Sequence, residues 1–252
     1  MKLNKTNNTE SFSRYEFKYL LPVKKANQIE KEIKNFMVLD KNALKNKKKN
    51  YFVRSLYFDN EIYSNFYEKV DGMETRKKFR IRVYSAIEKS TSPIFLEMKG
   101  RINQRTYKLR TEINKKHVNY FIDNENINSL SKIYSNKNNV VNHFIYDTIK
   151  KKIKPKVLVD YDRRAYHNKS GLLFRLTFDS KILSSPSQKL FDKKIHHFKE
   201  VRAGFKVLEL KFERSIQPWF HRIIQNYNLS RMSISKFAIG MEKSGFGQET
   251  SD

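Results

Sequence analysis

The sequence predicts an α+β domain dominated by a closed antiparallel β tunnel with flanking helices. Three observations carry this. Short segments that alternate charged and apolar residues recur along most of the 252-residue chain, as strands with one dry and one polar face require. Apolar residues at helical spacing fall in three intervening stretches. The third observation is the charge on the polar face of strand after strand. The solvated outside of a sandwich accounts for any single pair of such charges. Their recurrence favours an enclosed basic surface with a few carboxylates in it.

The elements follow in order. Strands are expected at 15–21, 51–58, 78–84, 94–99, 106–113, 156–166, 172–178, 206–212 and 230–236. Within them Arg80 and Arg82 share a face, as do Glu97 and Lys99, Lys108 and Arg110, Arg175 and Asp179, and Glu209 and Lys211. Gly100 and Asn103 turn one hairpin, and residues 168–171 turn another. Helices are expected at 23–36, with Ala26, Ile29, Ile33 and Phe36 on one face, at 140–151, and at 217–227, where Pro218 and Trp219 mark the start. No long linker and no solenoid repeat interrupts the pattern. Residues 14–240 therefore read as one domain, between flexible termini at 1–13 and 241–252.

Lys and Arg number 52 against 26 Asp and Glu, a formal net charge of +26. A polyanionic partner follows: nucleic acid, an acidic membrane surface or phosphate compounds. Only 38% of residues are hydrophobic, yet 19 Phe and 14 Tyr supply apolar area for a core. No apolar run approaches the ~20 residues that span a bilayer, and the first ten residues lack a secretory signal's apolar stretch, so a cytoplasmic location is expected. The absence of cysteine excludes disulfides, thiolate metal sites and cysteine catalysis. The six histidines show no zinc-like pairing, and adjacent His196 and His197 would face opposite sides of a strand. No Gly-rich phosphate loop is present. Lys45, Lys47, Lys48 and Lys49 read as a solvated loop or, more sharply, a funnel for polyanions. Trp219 reads as helix-start packing.

Several segments resemble the opening strands of VTC (vacuolar transporter chaperone) domains: Arg14-Tyr15-Glu16-Phe17-Lys18-Tyr19, Val53-Arg54-Ser55-Leu56-Tyr57-Phe58-Asp59 and Phe79-Arg80-Ile81-Arg82-Val83-Tyr84. Phe95-Leu96-Glu97-Met98-Lys99, Tyr161-Asp162-Arg163-Arg164-Ala165-Tyr166, Phe174-Arg175-Leu176-Thr177-Phe178-Asp179, Leu208-Glu209-Leu210-Lys211-Phe212 and Ser233-Ile234-Ser235-Lys236-Phe237 continue the resemblance in family order. It implies the triphosphate tunnel fold shared with CYTH-type triphosphatases and adenylate cyclases, and the activity of a polyphosphate polymerase. It also implies catalytic contacts from Arg80, Arg82, Lys99, Arg175 and Lys236. Further phosphate contacts would come from Arg14, Lys18, Lys108, Arg163, Lys211 and Ser235. Glu209 would carry a divalent metal, Mn²⁺ or Mg²⁺. Arg105 and Arg110 compete with Lys108 for its place, and Arg164 with Arg163.

CYTH enzymes open with a Glu-any-Glu-any-Lys pattern, whereas this chain places Arg14 at the first Glu and keeps Glu16 and Lys18. Fewer carboxylates weaken the hold on metal and strengthen the hold on phosphate, which tilts the reading to the polymerase branch. ATP and polyphosphate are the partners implied, with translocation left to a separate membrane protein. The residue types suit that chemistry. Arg offers a planar fork and Lys a compact charge, so several of each can clamp successive phosphoryl groups. A CYTH-like triphosphatase and a non-catalytic phosphate-chain binder remain alternatives. Nucleic-acid binding is disfavoured, because Glu97 and Glu209 would gain nothing in a backbone-binding groove.

Overall fold

The computed structural model describes residues 15–88, 91–103, 105–123, 127–134, 138–169, 173–191 and 197–247. Their framework is one antiparallel sheet. Its strands are β1 (Tyr15–Pro22), β2 (Met37–Leu39), β3 (Tyr51–Asp59), β4 (Thr75–Val83), β5 (Ile94–Ile102), β6 (Arg105–Ile113), β7 (Lys154–Asn168), β8 (Phe174–Pro186), β9 (Lys199–Glu200) and β10 (Phe205–Phe212). The main path runs β1-β10-β8-β7-β3-β4-β5-β6, with β2 added to β7 and β9 to β8.

Period two sorts the side chains. On β4, Phe79, Ile81 and Val83 point to one face, and on β5, Ile94, Leu96 and Met98 do the same. They join Leu56 and Phe58 of β3 in a core covered by α4 (Val118–Ile122), α5 (Ser129–Ile133) and α6 (Asn139–Lys151). Leu176, Phe178, Leu208 and Leu210 make a second core beneath α1 (Val23–Ile33) and α7 (Pro218–Asn226). Both cores lie on the convex side, so helices shield the apolar face from water and the charged face turns inward. Burial of each large side chain here contributes about 1.5–3 kcal/mol. That apolar gain offsets the crowding of cations on the other face.

At one end of the concave face a third cluster fills the interior. Phe237, Ala238 and Met241 of α8 (Lys236–Lys243) pack on Val53, Val157, Val159 and Tyr161 of the sheet, with Phe66 of α3 (Ser64–Val70) alongside. A further short helix is α2 (Lys41–Leu44). At Gly240 an added Cβ would stand 2.8 Å from Val159 Cγ2, so the absence of a side chain lets α8 lie close on β7. Among the described residues no helix is long and apolar enough to cross a membrane.

Several expectations are corrected. The sheet is not closed by its ladder, because no backbone pairing joins β6 to β1 among the described residues. It curls until Lys99 of β5 donates to both carboxylate oxygens of Glu16 on β1, at 2.9 and 2.8 Å. Residues 230–235 form no strand; Met232 N–H bonds the Lys18 carbonyl, and Ser235 instead caps α8 by accepting from Ala238 N–H. The last helix, α8, runs on past Gly240 to Lys243, with Met241 fully buried, and Phe246 packs 5.5 Å from Tyr63. Gly100 lies within β5 rather than in the turn: a Cβ there would fall on the Tyr107 ring. Asn103, at φ 53°, takes the left-handed turn position. The first helix also stops at Ile33, short of Phe36, whose ring stacks 4.6 Å from Trp219.

Candidate functional site

The concave face encloses a cavity of about 640 Å³. Lys18, Arg80, Arg82, Lys99, Lys108, Arg163, Arg175, Glu209, Lys211, Ser235 and Lys236 all line it. Arg14 lies outside the described residues. Arg110 lines the cavity together with Lys108, and only the backbone of Arg105 is described. Arg163 faces in. Arg164 faces out, where it donates to Glu30 and to the Lys48 and Lys49 carbonyls. The lysine run at 45–49 lines neither this cavity nor its neighbour.

Strand register determines which charges meet. Between β1 and β10, Glu16 stands opposite Lys211 and Lys18 opposite Glu209, an alternating square in which every diagonal and edge neighbour is within side-chain reach. Lys18 Nζ lies 2.9 Å from Glu16 and 3.6 Å from Glu209, and Lys211 Nζ lies 3.6 and 3.7 Å from the same two carboxylates. Burial alone would raise both carboxyls. For Glu16 the cations Lys18, Lys211 and Lys99 outweigh it, and for Glu209 the cations Lys211, Lys236 and Lys18 do, so each stays well below the usual carboxylate range.

Across β4, β5 and β6 two rows run side by side. Arg80, Glu97 and Arg110 form one, and Lys78, Lys99 and Lys108 the other. Glu97 is only 1% exposed and gathers Arg80 at 2.6 Å, Lys108 at 2.7 Å, and Arg82 and Arg110 at 3.5 Å. Arg82 and Arg80 overcome the effect of burial and hold its carboxyl well below normal. On the opposite wall Arg163 makes a two-pronged contact with fully buried Asp179 at 2.6 and 2.7 Å, and Lys236 reaches the same carboxylate at 2.5 Å. Arg175 is the outermost of the set, nearly half exposed and 3.4 Å from Asp40.

The buried carboxylates therefore act as internal counter-ions that fix the cations in place. Two tyrosines extend the scaffold: Arg80 donates to Tyr57 Oη at 2.9 Å and Arg82 to Tyr161 Oη at 3.0 Å. Burial opposes ionisation of Tyr57, but Arg80 and Arg82 more than compensate and lower its pKa. Sequence reasoning missed both tyrosines, which it counted as core, and Lys78, whose period-two relation to Arg80 and Arg82 was the available signal.

The family model described as the VTC domain matches residues 13–244. The chain belongs to the VTC family. A comparison with curated proteins found no match. Among solved structures, the VTC domain resembles a proposed adenylate cyclase from Bacillus halodurans at 12% identity and TM-score 0.51, over 90% of this chain and 95% of that one. It also resembles a proposed adenylyl cyclase from Hippeastrum, described as having a dominant triphosphatase activity. That match has 12% identity and TM-score 0.54, over 93% of this chain and 97% of the other. At this identity the likeness establishes the tunnel fold, and the family establishes a tunnel-fold, triphosphate-acting protein.

The same family implies a divalent metal. Among the described residues no group of three His, Cys, Asp or Glu side chains forms a metal cage. The VTC domain instead offers Glu16 and Glu209 on facing strands of the cavity wall. Two carboxylates suit a hard cation that keeps several waters and takes its other ligands from bound phosphates. The residues present fit a metal held in that manner.

Proposed function

We propose that this protein is a polyphosphate polymerase that transfers the γ-phosphoryl group of ATP to the end of a phosphate chain held in the tunnel. The observation that carries this reading is the charge balance of the cavity. Eleven Lys and Arg side chains line it against Glu16 and Glu209. A nucleoside triphosphate carries about four negative charges, so the wall holds more donors than one triphosphate can engage. Beyond the cavity a second one of about 330 Å³ continues with Lys69, Arg76, Lys77, Arg101 and Arg231.

In the reaction, a terminal phosphate oxygen of the chain attacks the γ-phosphorus. A new P–O bond forms as the bond from that phosphorus to the β–γ bridging oxygen breaks, and ADP leaves with the electron pair. The attacking oxygen is already anionic near neutral pH, so no side chain has to take a proton. Hydrolysis would differ, since water attack is helped by a base with a pKa near the working pH, a part that the carboxylates Glu16, Glu97 and Glu209, held far below it, do not suit. Arg80, Arg82, Arg163 and Lys236 would stabilise charge on the equatorial oxygens, with positioning supplying most of the catalysis. Glu209 with Glu16 would hold Mn²⁺ or Mg²⁺, which would neutralise part of the charge on the phosphates. Delivery of the product to a membrane protein, and a cytoplasmic location, belong to the same proposal.

Incubation with ATP and Mn²⁺, followed by separation of long chains from orthophosphate, tests the reading. Long chains are expected. Orthophosphate alone would replace the polymerase with a triphosphatase, and no ATP consumption would leave a phosphate-chain binder.

A further inference from the structure

Glu16, Lys18, Lys78, Lys99, Thr106 and Ser235 line both cavities and so mark the boundary, or neck, between them. Three of these are lysines, and their circumstances differ. Lys18 and Lys99 each sit within 3 Å of Glu16. Lys78 has no carboxylate within 4 Å among the described residues, whereas every other Lys and Arg of the larger cavity has one. Its ammonium donates to Ser235 Oγ at 3.1 Å and lies 5.2 Å from the centre of the Phe237 ring. It also stands directly across the ladder from Lys99, which stands across from Lys108. Like charges facing one another in this way are unfavourable unless an anion joins them. Glu16 does this for Lys99 and Glu97 for Lys108. No carboxylate among the described residues does it for Lys78.

We infer that Lys78 and the Ser235 hydroxyl form a phosphate subsite in the neck that selects chains long enough to reach from one cavity into the other. The inference rests on the polymer-binding reading above. Ser235 Oγ already accepts from Lys78 and from Ala238 N–H, so its hydroxyl hydrogen is left to donate to a phosphate oxygen. The surroundings of Lys78 agree. Burial, then Lys99 and Lys18, with Arg80 on its own strand and Lys69 on α3, push its pKa well below the lysine norm. An arriving phosphate supplies the missing counter-charge and favours the ammonium form. A triphosphate can seat wholly in the larger cavity, among cations that already have partners. A chain that occupies both cavities runs past the neck residues.

Calorimetric titration of tripolyphosphate and of long-chain polyphosphate into the wild type, Lys78→Met and Lys78→Arg tests this. Lys78→Met removes a repulsive charge from a crowded wall and should fold. It is expected to lose roughly tenfold or more in affinity for long chains, the effect of one charge-assisted contact, with tripolyphosphate changed by less than about threefold. Lys78→Arg should recover most of the loss. Equal losses for both ligands would overturn the inference by making Lys78 an ordinary triphosphate contact, and unchanged long-chain binding would overturn it outright. A wild type that binds neither ligand would instead sink the polymer-binding reading itself.

Discussion

At the scale of the residue, the proposed function assigns phosphate and the cation accompanying it to different side chains. Glu209→Gln should abolish metal-dependent turnover and leave tripolyphosphate binding intact or tighter, because a negative charge leaves a wall that Lys18, Arg163 and Lys211 keep positive. Arg80→Ala or Arg82→Ala should weaken binding with and without metal, by about 1.5–3 kcal/mol each. Calorimetry with and without Mn²⁺, beside an ATP-consumption assay, separates the two classes. Normal turnover in Glu209→Gln would move the metal to Glu16 or Glu97. Most of this site was legible in the sequence, since period two alone puts Arg80 with Arg82 and Glu209 with Lys211. The pairings were not legible. Alternation states which face a residue takes but not which strand lies beside it, so nothing in the sequence showed that Glu97 would gather four cations or that Lys78 would have no carboxylate within 4 Å among the described residues.

At the scale of the element, the row Lys78, Lys99 and Lys108 across β4, β5 and β6 makes the sheet sensitive to pH. Burial first, then Lys18 and Lys211, bring Lys99 down to about 8; burial, then Arg82 and Arg80, bring Lys108 to about 7. Both folded-state values lie below the unfolded one near 10.5, so between about pH 7 and 10.5 the unfolded chain binds more protons. The contribution of these groups to stability therefore rises with pH across that window. Phosphate binding should run the opposite way and weaken as pH climbs above about 7, because both lysines must regain protons to meet the anion. Thermal unfolding of the ligand-free protein and tripolyphosphate affinity, each followed from pH 6.5 to 9.5, should show opposite slopes that flatten in Lys108→Met. The strands themselves could be read in order, but 230–236 could not. Ser, Met, Ile and Lys alternate there as in a strand, yet no neighbour supplies the ladder, and a Ser followed by an apolar helical run is equally a cap. That chain end has its role through packing on the concave face, a long-range fact invisible to local periodicity.

At the scale of the whole molecule, the fold confines repulsion, with apolar cores on the outside of the sheet and cations within. Filling the tunnel should therefore stabilise the protein. Saturating tripolyphosphate at about 100 times its Kd should add about 2.7 kcal/mol, and duplex DNA at physiological salt should add little, as a melting-temperature titration would show. The closure of the sheet by Glu16 and Lys99, with no backbone pairing of β6 to β1 among the described residues, has a mechanical meaning. A barrel sealed by its own ladder is a pipe, and a thread enters a pipe only by its tip, one link after another. Here the wall is a slit fastened by a side-chain clasp, and a clasp of charges can exchange its partner for a passing anion. A thread can be laid into a slit along its flank, so the time needed to seat a long polymer is not bound to grow with the polymer's length.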